Sequence, residues 1–465
     1  MARIEKVAVL GLDCADPVLT FDRWAGELPN LSRLMAGGTY GPLTSSIPPV
    51  TVPAWSCMAS SQDPGALGIY GFQNRKDYSY DNKYIATSAA VREPRIWDVV
   101  GRHGRESIVV GVPGTYPIVR PPAGHLVAGF LTPDAARSDY TWPPALKHEI
   151  RNLVGEYLVD VPDYRTADRQ ALLDTIREMT DRRFRVVRYL VNHKPWDLLW
   201  MVEIGLDRMH HAFWSFMDPQ HRRYRAGNPF EHAIHDYLVH LDVLVGELLG
   251  ELDLETTAVW VVSDHGAQCM RGGFRLNEWL RREGYLRLTT DDLPPGRRLE
   301  SSLVDWPRTA AWAEGGYYAG CFLNVQGREP QGTVPPGEYE QVRAEIATKL
   351  EALLDPDGQP MGTRAYRPQD LYPRIERIPP DLIVLLGNLR WRSVGTVGHE
   401  GLFHFDDQPG TDDANHAQDG VFIVAHPSLP ARGRIEGLTL YDVMPTILRQ
   451  MALPIPEGLR GRPSV

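Results

Sequence analysis

Two kinds of apolar pattern alternate along this chain. Continuous apolar runs meet an acid or a histidine at one end: "KVAVLGLD" closes at Asp13, "DLLWMVEIGLD" at Asp207, "VWVVSDHG" at Asp264 and His265, and "DGVFIVAHP" begins just after His416. Such unalternating runs predict strands buried on both faces, as in a largely parallel sheet covered by helices. Between them, "TADRQALLDTIREMTDRRFRVVRYL" carries Leu172, Ile176, Met179, Val187 and Leu190 at helical spacing, with Thr166 as its expected N-cap. "HAIHDYLVHLDVLVGELLGEL" is a second amphipathic helix. The pattern predicts an α/β fold with helices on both faces of the sheet.

From about Tyr285 to Pro379 the texture changes to prolines, glycines and short strand-like pieces such as "GCFLNV" around one helix, "GEYEQVRAEIATKLEALL". The expected organisation is a core of residues 1–284 and 380–465 with residues 285–379 inserted as a cap. No internal repeat or long low-complexity segment interrupts it.

Acidic residues exceed basic ones, 59 to 49, for a formal charge of -10, so no broad attraction to a nucleic-acid polymer is expected. Four cysteines, Cys14, Cys57, Cys269 and Cys321, lie far apart without a C-x-x-C pair, which argues against a disulfide framework and a zinc knuckle. The first apolar run stops at Asp13, too short for a signal peptide. No segment approaches the roughly 20 apolar residues that cross a bilayer. A soluble, cytoplasmic protein with no membrane partner is expected.

Ligands of open parallel sheets bind beyond the carboxyl ends of the strands, so the acids and histidines that follow these runs belong to one rim. Asp207 and His211, four apart, share one face of a helix. Asp264 and His265 leave a strand together, and a turn at Gly266 lets both face one ion. With Asp13 and His416 they make three carboxylates and three imidazoles, enough for two sites of mixed nitrogen and oxygen ligands, which suit zinc or manganese. Thr51, in "TSSIPPVTVPAWSCMASS", reads either as a loop hydroxyl among prolines or as a nucleophile at the start of a helix. That stretch alone is consistent with both.

Several other residues have structural readings. His210 is expected at the surface or behind the ligands. Thr44, Ser46 and Ser56 fit turn and cap roles. Arg75 and Lys76 fit a solvated turn, Asn277 and Trp279 a helix junction, and the pairs Phe213-Trp214 and Tyr317-Tyr318 packing rather than base stacking. His399 and His404, in "GHEGLFHF", compete with His416, which is favoured because it leads directly into a strand.

The pieces "GLDCADP", "GELPNLSRLMAGGTYGPLTSSIPPVTVPAWSCM", "PGALGIYGF", "GLDRMHHAFW", "VVSDHG", "RLNEWLRREGYL", "NHAQDGVFIVAHP" and "TLYDVMPTILRQMALPIPEGLRGR" occur in an order that resembles the alkaline phosphatase superfamily. Within it they are similar to the bacterial branch related to type I phosphodiesterases and nucleotide pyrophosphatases. The resemblance implies an alkaline phosphatase-like three-layer αβα sandwich with a mostly parallel central sheet and an inserted cap. It implies two divalent metal ions, zinc or manganese, one on Asp207, His211 and His416 and the other on Asp13, Asp264 and His265, with Thr51 bridging toward the second as a further ligand. Thr51 is then the nucleophile that forms a phosphothreonine, on a helix expected to begin at Pro53. The implied substrates are small-molecule phosphate esters, diesters first, with phosphomonoesterase and phosphotransferase or mutase chemistry as alternatives. The chain departs from the family pattern at Leu67, often histidine there, and at Ser60-Ser61, where the family has Thr-Gly.

Overall fold

The computed structural model describes residues 3–405 and 411–465. The chain divides into two compact units, one of Met1–Leu67, Ala86–Gln268 and Pro409–Val465 and the other of Gly68–Ile85 and Cys269–Gln408. The second unit is larger than the expected 285–379 insertion. It takes in a hairpin of Gln73–Arg75 and Lys83–Ile85 and a strand, Gly272–Phe274, that pairs with Trp391–Ser393, contacts between residues too distant in sequence for local texture to reveal.

In the first unit, strands β1 (Lys6–Leu12), β2 (Gly38–Thr44), β3 (Ser107–Val110), β4 (Gly124–Val127), β5 (Thr141–Trp142), β6 (Leu198–Glu203), β7 (Thr257–Val262), β8 (Asp419–Ala425), β9 (Gly433–Arg434) and β10 (Leu438–Thr439) form one ten-stranded sheet. Its order is β9-β2-β8-β7-β1-β6-β3-β4-β5, with β10 also on β2. Strands β7, β1, β6, β3 and β4 are mutually parallel. Strand β8 runs antiparallel to both β7 and β2. Its direction matters, because the start of an antiparallel strand lies at the same edge as the ends of its parallel neighbours.

Helices α1 (Pro29–Ala36), α2 (Thr51–Ser60), α3 (Ile96–Arg102), α4 (Arg169–His193), α5 (Gly205–Met217), α6 (Ala233–Leu249) and α7 (Val443–Gln450) form two packed groups: α1, α4 and α5 on α6, and α2 and α3 on α7. Side chains three apart on a strand point to opposite faces. Accordingly Trp200 of β6 meets Trp97 of α3, while Glu203 at the end of β6 meets Thr180 of α4. Asp168, rather than Thr166, caps α4, its carboxylate accepting the Ala171 N–H at 3.0 Å.

Glu203 also accepts the Gly205 N–H at 2.7 Å, so this carboxylate shapes the turn from β6 into α5. A Cβ on Gly205 would lie 2.0 Å from the Tyr237 hydroxyl, which is why glycine stands there. Arg183 of α4, equally buried, lies 3.3 Å from Glu203. Arg183→Met would leave this carboxylate charged without its counter-ion. The expected cost is about 3–5 kcal/mol, read from urea unfolding.

The second unit holds an antiparallel sheet ordered Ala311–Glu314, Ala319–Leu323, Leu382–Leu385, Arg364–Tyr366. Helix Tyr339–Glu351 adds Ile346 and Leu350 to a core that includes Trp312 and Phe322. Arg75 is not on a solvated turn: it is buried, paired with Glu329 at 3.1 Å and stacked near the Trp312 and Phe322 rings. None of the four cysteines forms a disulfide. Among the described residues no helix is long and apolar enough to cross a membrane.

Candidate active site

All seven residues singled out in the sequence belong to the first unit, and the structure brings them together. Asp13 follows β1, Asp207 and His211 lie in the first two turns of α5 after β6, and Asp264 and His265 follow β7. His416 precedes antiparallel β8, and Thr51 opens α2 after β2, so both reach the same rim. His211 Nε2 is 3.2 Å from Asp207 Oδ1 and 3.2 Å from His416 Nε2. His416 Nε2 is 3.7 Å from Asp207 Oδ1. In the second cluster, His265 Nε2 lies 3.2 Å from Asp264 Oδ2 and 3.9 Å from Asp13 Oδ1. The His265 and His416 rings stack at 3.8 Å, which joins the clusters, and His265 also groups with Asp207 and His416 within 4.8 Å. Thr51 Oγ1 lies 3.4 Å from His265 Nε2.

The helix carrying Thr51 begins at Thr51 itself, two residues before the expected Pro53. Pro53 therefore occupies the third helical position, where it has no N–H to leave unmet. The Thr51 and Val52 N–H groups sit at the positive end of the helix dipole beside the hydroxyl. Ser61 closes the helix with φ +51°, a left-handed conformation that glycine adopts without strain; its hydroxyl donates to Tyr441 C=O at 2.7 Å.

Each imidazole is oriented by a backbone carbonyl. Nδ1 of His211 donates to Ala414 C=O at 2.9 Å, that of His416 to Pro49 C=O at 2.7 Å, and that of His265 to Gly266 C=O at 3.2 Å. Carbonyls only accept, so each Nδ1 carries a hydrogen and each Nε2 is turned toward the carboxylates. This is the arrangement that fixes tautomer and direction in histidines that bind metals.

The carboxylates are held as firmly. Asp13 Oδ2 accepts the indole N–H of Trp55 at 2.7 Å, and Asp264 Oδ1 accepts the Cys14 N–H at 3.3 Å. Asp207 Oδ2 accepts from Arg208 at 2.9 Å, whose other guanidinium nitrogens grip Asp160 at 2.8 Å each. The second oxygens, Asp13 Oδ1, Asp207 Oδ1 and Asp264 Oδ2, are buried and accept no hydrogen bond among the described residues. Buried oxygens of this kind demand either protons or cations.

Burial, then repulsion from Asp207, pushes the Asp13 carboxyl well above its ordinary range, and burial with repulsion from Asp13 does the same to Asp264. Burial works against the charge of Asp207 too, but His211 and Arg208 hold it well below the usual carboxylate value. Burial draws His265 down to about 4 and His416 well below the ordinary imidazole value. Against the pull of burial, Asp207 raises His211 above the ordinary imidazole value. Three carboxyl groups and three imidazoles thus share one buried basin, a donor set that fits divalent cations.

Sequence reasoning missed Trp55 and Arg208. Trp55 lies one turn beyond Thr51, and it reaches Asp13 because residue 11 is glycine: a Cβ there would stand 2.6 Å from the indole ring. Trp55→Phe removes this donor. An expected loss of about 10–100-fold in cation affinity or activity is measurable by metal titration and steady-state rates. His210 is buried rather than at the surface, edge-on to Trp214. His399 and His404 make their hydrogen bonds within the second unit, with Gly296 N–H and Arg275, and the imidazole in the cluster is His416. Asn277 ties its helix to Ala313 of the neighbouring strand, the Ser46 hydroxyl donates to Pro48 C=O, and Phe213 packs on Phe216 and Phe230.

A family model described as type I phosphodiesterase / nucleotide pyrophosphatase matches residues 7–419. A search of curated proteins gives no match. Among solved structures, murine ectonucleotide pyrophosphatase / phosphodiesterase 5, as an inactive variant in complex with AMP, is similar at 13% identity and TM-score 0.56, over 99% of this chain and 97% of that one. Phosphonoacetate hydrolase from Sinorhizobium meliloti 1021 in complex with phosphonoformate is similar at 18% identity and TM-score 0.60, over 95% of this chain and 94% of that one. At these identities the likeness concerns the fold.

Proposed function

Because the chain belongs to the type I phosphodiesterase / nucleotide pyrophosphatase family, we propose that it hydrolyses small phosphate esters, diesters in preference to monoesters, through a phosphothreonine at Thr51. The observation that carries this reading is the convergence of three unsatisfied carboxylate oxygens and three oriented Nε2 atoms beside the Thr51 hydroxyl. Asp207, His211 and His416 would hold one divalent cation and Asp13, Asp264 and His265 the other, with zinc or manganese suited to these donors. Bound there, the pair supplies Lewis-acid charge for the phosphoryl oxygens and lowers the pKa of the attacking group.

The chain's own residues do the rest. Thr51 Oγ1 gives up its proton and forms a bond to phosphorus as the bond to the departing alcohol breaks, the alcohol leaving protonated. On a diester the phosphothreonine keeps the second ester group, and water then cleaves the bond from phosphorus to Thr51 Oγ1, releasing the monoester and restoring the hydroxyl. The Thr51 and Val52 N–H groups face the charge that develops on the phosphoryl oxygens. Trp55 holds Asp13 at a fixed distance from Thr51 on the same helix. Diesters are favoured because Arg208, the guanidinium buried beside the cluster, is committed to Asp160 and Asp207 and gives nothing to a monoester's extra charge. AMP and phosphonoformate, bound by the structural neighbours, are small phosphorus oxyanions, in keeping with a small-molecule substrate.

Paired assays with a chromogenic diester and its matching monoester, on protein reloaded with zinc or manganese, test the reading. The diester should show kcat/KM at least about tenfold higher. A faster monoester overturns the diester preference, and hydrolysis of neither overturns the hydrolase.

A further inference from the structure

His211 and His416 stand 205 residues apart in sequence, and one buried residue ties their elements together. The Asp413 N–H donates to His211 C=O at 2.7 Å, and the carbonyl of the next residue, Ala414, accepts His211 Nδ1–H at 2.9 Å. The Asp413 carboxylate reaches the following turn of α5. Its Oδ2 accepts the Ser215 N–H at 3.1 Å and the Ser215 hydroxyl, and its Oδ1 accepts from the Arg223 guanidinium.

Ser215 stands four residues after His211, so in an α-helix its N–H is the ladder partner of the His211 carbonyl. Asp413 offers a second partner to each end of that one rung. The clasp is dry: Asp413 is 0% exposed and Ser215 6%. Three residues beyond Asp413, in the strand Ala414–Ala417, comes His416. A slip of that strand by one residue would turn His416 to the opposite face, since side chains alternate. Hydrogen bonds to the backbone of α5 on one side, and from Gln268 Nε2 to His416 C=O at 2.9 Å on the other, oppose such a slip.

We infer that Asp413 is a positioning residue that registers the His416 strand on the His211 helix, so that the two Nε2 atoms stand 3.2 Å apart before a cation arrives. The inference rests on the cation site proposed above. Its chemistry is that of a buried partner which orients ligands without touching the ion, and the loss of such partners lowers affinity rather than changing substrate recognition. The adjacent Asp412 makes a useful contrast, because its carboxylate goes to Tyr164 and Arg165 and not to α5.

The test uses the full chain, stripped with a chelator and titrated with zinc against a chromophoric competitor. Wild type should take up about two ions per chain. Asp413→Asn, near-isosteric but uncharged, should weaken one of the two by about 10–100-fold, leave KM unchanged and regain kcat in excess zinc. Asp412→Asn should bind as wild type does. If Asp413→Asn does not fold, Ser215→Ala, which deletes one hydroxyl from the clasp, should still weaken the same ion. Folded Asp413→Asn, or in its place Ser215→Ala, with both affinities intact overturns the positioning role alone. Wild type that binds no zinc overturns the cation site and this role with it.

Discussion

Thr51→Ala is expected to lower kcat on a phosphodiester by about 10⁴–10⁶-fold while cation content stays near wild type, because it deletes the hydroxyl proposed to bond to phosphorus. Thr51 is 3% exposed and alanine also lacks its Cγ2 methyl, so folding is checked by thermal unfolding. The carboxylates and imidazoles proposed to hold the cations come from six other residues, which separates this variant from one that simply fails to load. Thr51→Ser, which keeps the hydroxyl and drops the methyl, should recover most of the rate. Acid quenching of wild type during turnover of a diester should leave a phosphoryl group that still bears the retained ester on the Thr51 peptide, visible by mass spectrometry, and Thr51→Ala should leave none. Turnover by Thr51→Ala at the wild-type rate, with both ions present, removes Thr51 from the mechanism.

What made the rim legible is that burial on both faces leaves a plain mark on composition. "VAVL", "LLWMV" and "AVWVV" are strands because nothing polar fits between two helical layers, and the first acid after each run must lie where the sheet meets solvent or a ligand. Strand direction leaves no such mark. The run "DGVFIVA" reads as a strand either way, yet only the antiparallel course of β8 puts His416, at its start, beside residues that follow parallel strands. Long-range contacts were hidden for a similar reason. Trp55 reads as one more apolar residue of a buried helix until Gly11 is seen to clear a path for its ring to Asp13. Arg208 follows Asp207 directly, and side chains one apart on a helix point in different directions; its guanidinium returns to Asp207 only because Asp160 anchors it there. The extent of the second unit was missed because the hairpin at 73–85 is joined to it by tertiary packing, such as Arg75 on Glu329, and not by any change in local texture.

Removal of divalent cations is the second large effect, and it should depend on pH in a definite direction. Asp13 and Asp264 have carboxyl values raised above those of the unfolded chain, so between about pH 4 and their folded values the folded state holds more protons and its stability falls as pH rises. His265 and His416 are depressed, so the folded state holds fewer protons below about pH 6.5 and these two lose stability as pH falls. Above about pH 6.5 the raised carboxyls and His211, which Asp207 raises, all lose stability as pH rises, and the stripped protein carries repelling charges that cations would neutralise. Protons also compete with cations for the same oxygen and nitrogen atoms, which weakens loading at low pH. Both effects act together: the gain in Tm on loading should grow from about pH 5 to about pH 8, reaching about 5 °C at roughly a hundredfold excess over Kd. Activity should fall to background in chelator and return with zinc or manganese. A stripped protein that melts at the same temperature as the loaded one at about pH 8, and still turns over substrate, would show that these six side chains serve the fold and not a cation.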